Sequence, residues 1–178
     1  MVRTGSSQPV SAEQQLTELG VILPDAPRPL GAYVEAVQSG NLLFLSGMLP
    51  IKDGKLQSVG RLGKELDESA GRDALRTATL NALSAAKAHL GSLDRVTRAI
   101  SVKVYLATSG DFYNQPIVAD AASELLRDVF GEDKMSVRSV LGVTVLPLGA
   151  PVMLEVTFEV ENGEGGSDAD SLSNRRCL

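Results

Sequence analysis

The clearest pattern lies near the end of the chain, where residues 135–160 read as two strands joined at Leu146-Pro147-Leu148-Gly149-Ala150-Pro151. In the second strand Val152, Leu154, Val156, Phe158 and Val160 alternate with Met153, Glu155, Thr157 and Glu159, the two-residue period of a sheet with one apolar face. In the first, Val137, Leu141, Val143 and Val145 share one parity, while Arg138, Val140, Gly142, Thr144 and Leu146 share the other. Strand side chains alternate between faces. If both bulky parities look into one core, Arg138 and Glu155 therefore share the opposite face.

Upstream, Ser11 and Gln14 have the spacing of a capping box, and Leu16 and Leu19 predict a short helix ended by Gly20. A proline-stiffened lead-in follows. Residues 33–38 and 42–46 read as a hairpin turning at Ser39-Gly40-Asn41, with a shorter hairpin around Asp53-Gly54 ending near Gln57 and Val59. From 67 to 90 the period becomes helical: Ala74, Leu75, Ala78, Ala82, Leu83, Ala86 and Leu90 form one stripe, and Gly91 stops it. Residues 99–107 alternate again. A second long helix is predicted from Gln115 or Pro116 to Phe130, with Val118, Ala121, Ala122, Leu125, Leu126 and Val129 inward.

The order ββ(ββ)αβαββ predicts an α+β two-layer sandwich, a mostly antiparallel sheet with two helices on one face. Its other face has no helix to cover it. The occupants expected there, among them Val140, Leu146, Met153, Tyr105 and Ala99, suit burial against other copies of the chain, so a homo-oligomer is predicted. Residues 1–10 read as a flexible start, 11–160 as a single domain, and the Gly/Ser/Asp-rich 161–178 as a disordered tail.

Composition narrows the function classes. With 178 residues, 43% hydrophobic and 22% charged, the chain has material for one core. A net charge of -5 without a basic stripe argues against nucleic acid as a partner, and no apolar run reaches the ~20 residues of a membrane span. The single cysteine, Cys177, and the lack of a leader-like start favour a cytoplasmic location. One histidine, His89, and no usable cysteine leave no His-rich zinc site or Ser-His-Asp arrangement, and no metal is expected.

Arg138 and Glu155 are the candidate chemistry. An arginine fork binds a carboxylate bidentately, and a nearby glutamate can orient or deprotonate water; a cross-strand ion pair at a subunit contact is the alternative. Ser46 and Gly47 fall at the end of a predicted strand, where glycine admits close approach of a ligand to the backbone, though a structural turn accounts for them as well.

Arg138 eight residues before Leu146-Pro147, the Val152-Met153-Leu154-Glu155-Val156 strand, the Phe44-Leu45-Ser46-Gly47-Met48-Leu49-Pro50 strand end and the upstream Tyr33 resemble the Rid family of reactive intermediate deaminases, also called YjgF-like proteins. The resemblance runs from about Leu19 to Val160, and the length is most similar to the longer subgroup labelled YjgF-like or L-PSP endoribonuclease. It implies the chorismate-mutase-like fold, a homotrimer with ligand clefts between subunits, and cofactor-independent hydrolysis of 2-imino and 2-enamino acids to 2-oxo acids and ammonia. In that role Arg138 clamps the substrate carboxylate, Glu155 positions the water, and Tyr33, Ser46, Gly47 and Val140 line the cleft. Val140 stands where the family's best-studied deaminases carry a cysteine, and Ala32-Tyr33-Val34-Glu35 replaces their Pro-Tyr-Ser-Gln, so the pocket wall differs. A non-catalytic trimeric module binding a small carboxylate metabolite is the alternative expectation; ribonuclease activity follows only from the subgroup's label.

Overall fold

A computed structural model describes residues 10–161. The expected flexible start and disordered tail lie outside them, apart from Val10 and Glu161, as does Cys177. The chain opens with helix α1 (Ala12–Glu18), capped by Ser11 and Gln14 in a reciprocal capping box. A hairpin of β1 (Ala36–Ser39) and β2 (Leu42–Leu45) follows, then a small separate hairpin of β3 (Ile51–Lys52) and β4 (Lys55–Leu56). Helix α2 (Glu68–Leu90) leads to the long strand β5 (Val96–Ala107), helix α3 (Gln115–Phe130), and strands β6 (Val137–Val143) and β7 (Val152–Val160).

The main sheet has the order β1-β2-β7-β5-β6. Its last pair, β5 with β6, is parallel, because α3 carries the chain back to the starting end before β6 begins. The sheet is therefore mixed. The two strands of the 135–160 segment are not neighbours; they flank β5 on either side. A short proline linker does not force a hairpin when a third strand already occupies the gap.

One face of the sheet carries the core. Val102, Val104 and Leu106 of β5 and Val152, Leu154, Val156, Phe158 and Val160 of β7 are all buried against α2 and α3. The alanine stripe of α2 is buried in full from Ala74 to Leu90, so the helix sits close on the sheet with small side chains between them. Asp67 caps its start by accepting the Ala70 N–H at 2.8 Å. Gly91 at φ 84° ends it. Phe158 meets the ring of Phe130 edge to face at 5.7 Å, locking β7 to the end of α3.

The other face bears no helix. Val37, Phe44, Val137 and Leu141 point onto it and are substantially exposed, beside Tyr105 and Met153. Val140 and Ala99, expected on this face, lie on the helix side: Val140 pairs with buried Val104, and Ala99 with buried Phe158. Leu146 is buried in a small cluster with Leu49, Ala107 and Ala150. No helix among the described residues is long and apolar enough to cross a membrane.

Phe158 is fully buried between the sheet and the helix layer. Phe158→Ala is expected to cost about 3–5 kcal/mol, the range for emptying a buried aromatic site, read as a lowered midpoint in urea denaturation.

Candidate functional site

Arg138 sits near the start of β6, opposite Val102 of β5. Ladder partners share a face, so Arg138 points to the helix layer, where Val102 is buried. There its Nη1 donates to Asp120 Oδ1 at 2.7 Å and to Ser123 Oγ at 3.0 Å. Asp120 and Ser123 are three residues apart on α3, the spacing that puts two side chains on one face of a helix. They grip one end of the guanidinium. Its Nε and Nη2 have no acceptor among the described residues, and the side chain is a quarter exposed.

Glu155 lies on the opposite side of the sheet. Its ladder partner is Lys103, and the ion pair it makes is with that residue, Lys103 Nζ to Glu155 Oε2 at 3.7 Å, on the uncovered face. The expectation that Arg138 and Glu155 share a face is thereby corrected. It assumed that the bulky parity of β6 turns inward, but Val137 is 71% exposed and Leu141 45% exposed: as an edge strand, β6 presents its apolar parity to the uncovered face and its polar arginine to the rim of the helix layer. Val140 follows Arg138 on that side and packs partly buried against the core.

Tyr33, Ser46 and Gly47 do come together, around a small cavity of about 40 Å³ whose lining also includes Arg28, Glu35 and Asn81. Each is held by a specific contact. The Tyr33 hydroxyl accepts the Leu30 N–H at 3.1 Å, Ser46 Oγ donates to the Val34 carbonyl at 2.6 Å, and the Ser46 N–H donates to the Glu35 carbonyl at 2.8 Å. Paired Met48 and Leu154 backbones, at 2.7 and 2.9 Å, then lay this segment along β7. A Cβ added at Gly47 would stand 2.7 Å from Met153 Sδ, so any larger residue here would have to displace the flexible Met153 side chain of β7. Buried Asn81 of α2 donates from Nδ2 to the carbonyls of Leu49 and Ile51, both at 2.9 Å, fixing the cavity floor. Within it, Glu35 Oε1 is buried with no hydrogen-bond partner among the described residues. An unmatched buried acceptor costs about 1–3 kcal/mol.

A larger cavity of about 500 Å³ opens beyond the ends of β5 and β6, lined by Ala107, Val145, Leu146, Ala150, Arg61 and Glu65 among others. It contains none of the residues singled out in the sequence as site candidates. The Arg61 N–H bonded to Glu65 Oε2 at 2.9 Å, with Lys64 close by, holds the Glu65 carboxyl below the usual glutamate range. No group of three or more metal-ligating side chains occurs among the described residues.

Sequence reasoning missed Asp120 and Ser123, Lys103 and Glu35 as participants. The first two stood in plain view as the polar side of α3 at i, i+3, and Lys103 alternated with the core residues of β5. For Glu35 the sequence held only its departure from a neutral residue in the resembled motif; that one of its carboxylate oxygens would be buried required the fold.

Residues 13–160 match the family described as YjgF/chorismate_mutase-like, putative endoribonuclease. Protein TCP17 of Trypanosoma cruzi is 39% identical over 148 residues, 83% of this chain and 92% of the relative. A 2-iminobutanoate/2-iminopropanoate deaminase of Dermatophagoides farinae is 28% identical over 138 residues, 78% of this chain and 93% of that protein. Among solved structures, a putative endoribonuclease from Shewanella oneidensis superposes with a TM-score of 0.81 at 31% identity, covering 84% of this chain and 99% of that one. The chain belongs to the YjgF, or Rid, family, and its α+β architecture of three helices and a mixed sheet is the chorismate-mutase-like fold.

Two outcomes test this electrostatic description. Asp120→Ala is expected to change stability by less than about 1 kcal/mol, since Asp120 is half exposed, as seen in the same urea titration. For Glu65 the folded carboxyl lies below its unfolded counterpart, so its contribution is present above the unfolded value and fades as pH falls through the folded one. A carbon-detected NMR titration should find the Glu65 midpoint below 4.5, and Glu65→Gln should flatten the stability profile in that acidic window.

Proposed function

We propose that the protein is a homotrimeric, cofactor-independent deaminase that hydrolyses 2-imino and 2-enamino acids to 2-oxo acids and ammonia. The observation that carries this reading is the state of Arg138: one end of the guanidinium is fixed by Asp120 and Ser123, while the Nε and Nη2 edge has no acceptor among the described residues. A fork oriented at one end and free at the other suits a planar carboxylate. Family membership and the relative named as a 2-iminobutanoate/2-iminopropanoate deaminase support the reaction class.

In this mechanism water adds to the imine carbon and forms a C–O bond. One proton of the water passes through Glu155 to the substrate nitrogen, giving a hydroxyl-amine adduct; as that adduct collapses its hydroxyl proton follows through the same carboxylate to the nitrogen, the C–N bond breaks, ammonia leaves and the ketone remains. The imine is already electrophilic, so positioning and proton transfer suffice. Geometry sets one further condition. Arg138 and Glu155 lie on opposite faces of one chain, and β6 is two strand spacings from β7, roughly 10 Å at ~4.8 Å each. One small substrate can meet both only if they come from different copies. The uncovered face, with Phe44, Val37, Val137 and Leu141 exposed, supplies apolar surface for that assembly. A cytoplasmic location belongs to the same reading.

A second reading, a module that binds a small carboxylate metabolite without turnover, draws on Val140, which brings methyl groups where the best-studied relatives have a thiol. Ribonuclease activity has only names in its favour; His89, the one histidine, is exposed near the end of α2.

Imino acids generated in situ should disappear faster with the wild type than in buffer. Arg138→Ala should lower kcat/KM by about 100-fold or more, and Glu155→Gln by about 100-fold mainly in kcat. Saturable binding of a 2-oxo acid that Arg138→Ala abolishes, without any turnover, selects the second reading. In sedimentation equilibrium the mass should be three times the 18.8 kDa chain, and Phe44→Glu on the uncovered face should reduce it. A monomeric wild type defeats the shared cleft.

A further inference from the structure

The cavity of about 500 Å³ beyond the ends of β5 and β6 has no part in the proposed deaminase chemistry. Arg138 stands near the start of β6, and Thr144 of the cavity wall lies just past the end of that strand, roughly 20 Å away at ~3.3 Å per residue. We propose that this cavity is a second ligand site, one that takes a small carboxylate with an apolar body and anchors its carboxylate on Arg61. The inference does not depend on the deaminase reading.

Local structure fixes the arginine at the cavity. Leu62 is fully buried; its N–H donates to the Ala107 carbonyl at 2.8 Å and its carbonyl accepts the Ser109 N–H at 2.9 Å, which pins the loop to the end of β5. Arg61, beside it, lines the cavity instead. The one carboxylate in the wall, Glu65, is taken up by the loop itself: Oε2 accepts the Arg61 N–H at 2.9 Å, and Oε1 lies 3.4 Å from Lys64 Nζ. The Arg61 side chain approaches Glu65 only through Nε, at 3.7 Å, and its Nη1 and Nη2 have no acceptor among the described residues. Two cations against one carboxylate leave this end of the cavity positive. The Thr144 hydroxyl in the same wall adds a donor that can turn toward an anion.

The rest of the wall is apolar. Leu146, Ala107 and Ala150 form its buried part, and the N–H groups of Gly60, Ala107, Gly149 and Ala150 already donate to the carbonyls of Gly149, Pro151, Leu146 and Pro147. Val59 and Val145 line the same cavity while 62% and 72% exposed, and Leu148, 64% exposed at φ 59°, stands in the turn between wall residues Leu146 and Gly149. A leucine in left-handed backbone is a costly turn residue, and apolar side chains grouped at one opening gain by being covered. The volume lies within the ~300–1,000 Å³ of small-molecule sites. Because the cavity is open on one side, its size sets no sharp limit on the ligand; selection comes from joining an unoccupied guanidinium fork to apolar walls. The fork matches a planar carboxylate. A bare phosphate would meet the fork and leave the walls in water, and a sugar or dicarboxylate would bring polar groups that the walls leave unpartnered.

The test uses the full chain and sodium hexanoate as the probe, followed by amide NMR, with acetate, inorganic phosphate, hexanamide and hexylammonium chloride at equal ionic strength as controls. Hexanoate is expected to shift the Ala107, Val145 and Ala150 amides saturably and about tenfold or more tighter than acetate or phosphate, the gain that burying its methylenes supplies. Hexylammonium should leave these amides unmoved. Arg61→Gln should weaken hexanoate by about tenfold or more, as loss of a charged hydrogen-bond partner does, without changing the weaker binding of hexanamide. Arg138→Ala should leave the hexanoate shifts as they are, which separates this cavity from the deaminase site. Unchanged amide shifts far from the cavity establish that Arg61→Gln is folded. If it is not, the contrast between hexanoate and its neutral and cationic analogues decides alone. Equal binding of those analogues, no saturable shift, undiminished binding in folded Arg61→Gln, or loss of the shifts in Arg138→Ala overturns the proposal. So does an absence of hexanoate binding together with a mass in sedimentation equilibrium that falls in Val145→Glu, which makes the cavity a contact between copies of the chain.

Discussion

Strand β5 governs the molecule through one constraint: each of its residues must face either the helices or the bare side of the sheet, and it imposes that choice on a neighbour along each edge. Val102 faces the helices, so Arg138 beside it in β6 does too; Lys103 faces away, so Glu155 beside it in β7 does too. A one-residue step along β5 thus separates the two candidate catalytic groups by the thickness of the sheet. The core pins this arrangement. Shifting β7 by one residue would expose Leu154 and Phe158 and turn Glu155 into the core without a donor or counter-ion.

The same constraint explains what was legible in the sequence. The α2 stripe, the inward face of α3 and the alternation of β5 and β7 were readable because each buries one continuous apolar set, and the caps at Ser11, Asp67, Gly91 and Gly131 mark their ends. β6 was not readable in the same way. Its more apolar parity, Val137 and Leu141, looks away from the core of its own chain, so the rule that greasy means inward pointed in the wrong direction. An edge strand whose outward face is apolar is one that expects company. Parallel pairing with β5 was hidden for a related reason: nothing local in β6 distinguishes a parallel neighbour from an antiparallel one, and only the α3 crossover decides it.

Of the candidate site, the cluster of Tyr33, Ser46 and Gly47 is local enough to be approached from sequence, since one hairpin and the backbone pairing of Met48 with Leu154 suffice to build it. The surroundings of Arg138 are different. Asp120 comes from a helix 18 residues earlier, and only the packing of α3 across β6 brings it within 2.7 Å. The consequence is chemical: an arginine held by a neighbouring carboxylate at one end loses rotamer freedom before any ligand arrives, so less entropy remains to be lost when a second carboxylate meets the other end.

The division of charge within the chain then argues for assembly more strongly than exposed apolar area does. Apolar patches of ordinary size occur on monomers, and Val37 with Phe44 alone would not demand a partner. Here, however, the groups that suit a carboxylate and a water lie on strands separated by β5 and on opposite faces, each incomplete for chemistry on a molecule a few ångströms long. Rotating a second copy so that its β6 edge approaches the uncovered face of the first over β7 and β2 joins the two halves without changing either fold. In the proposed closed ring every edge of one kind would meet a face of the other, and each subunit would contribute Arg138 to one cleft and Glu155 to the next. A cleft of this proposed kind would exist only in the assembly, so on that reading dissociation would remove the proposed activity while leaving each chain folded around β5.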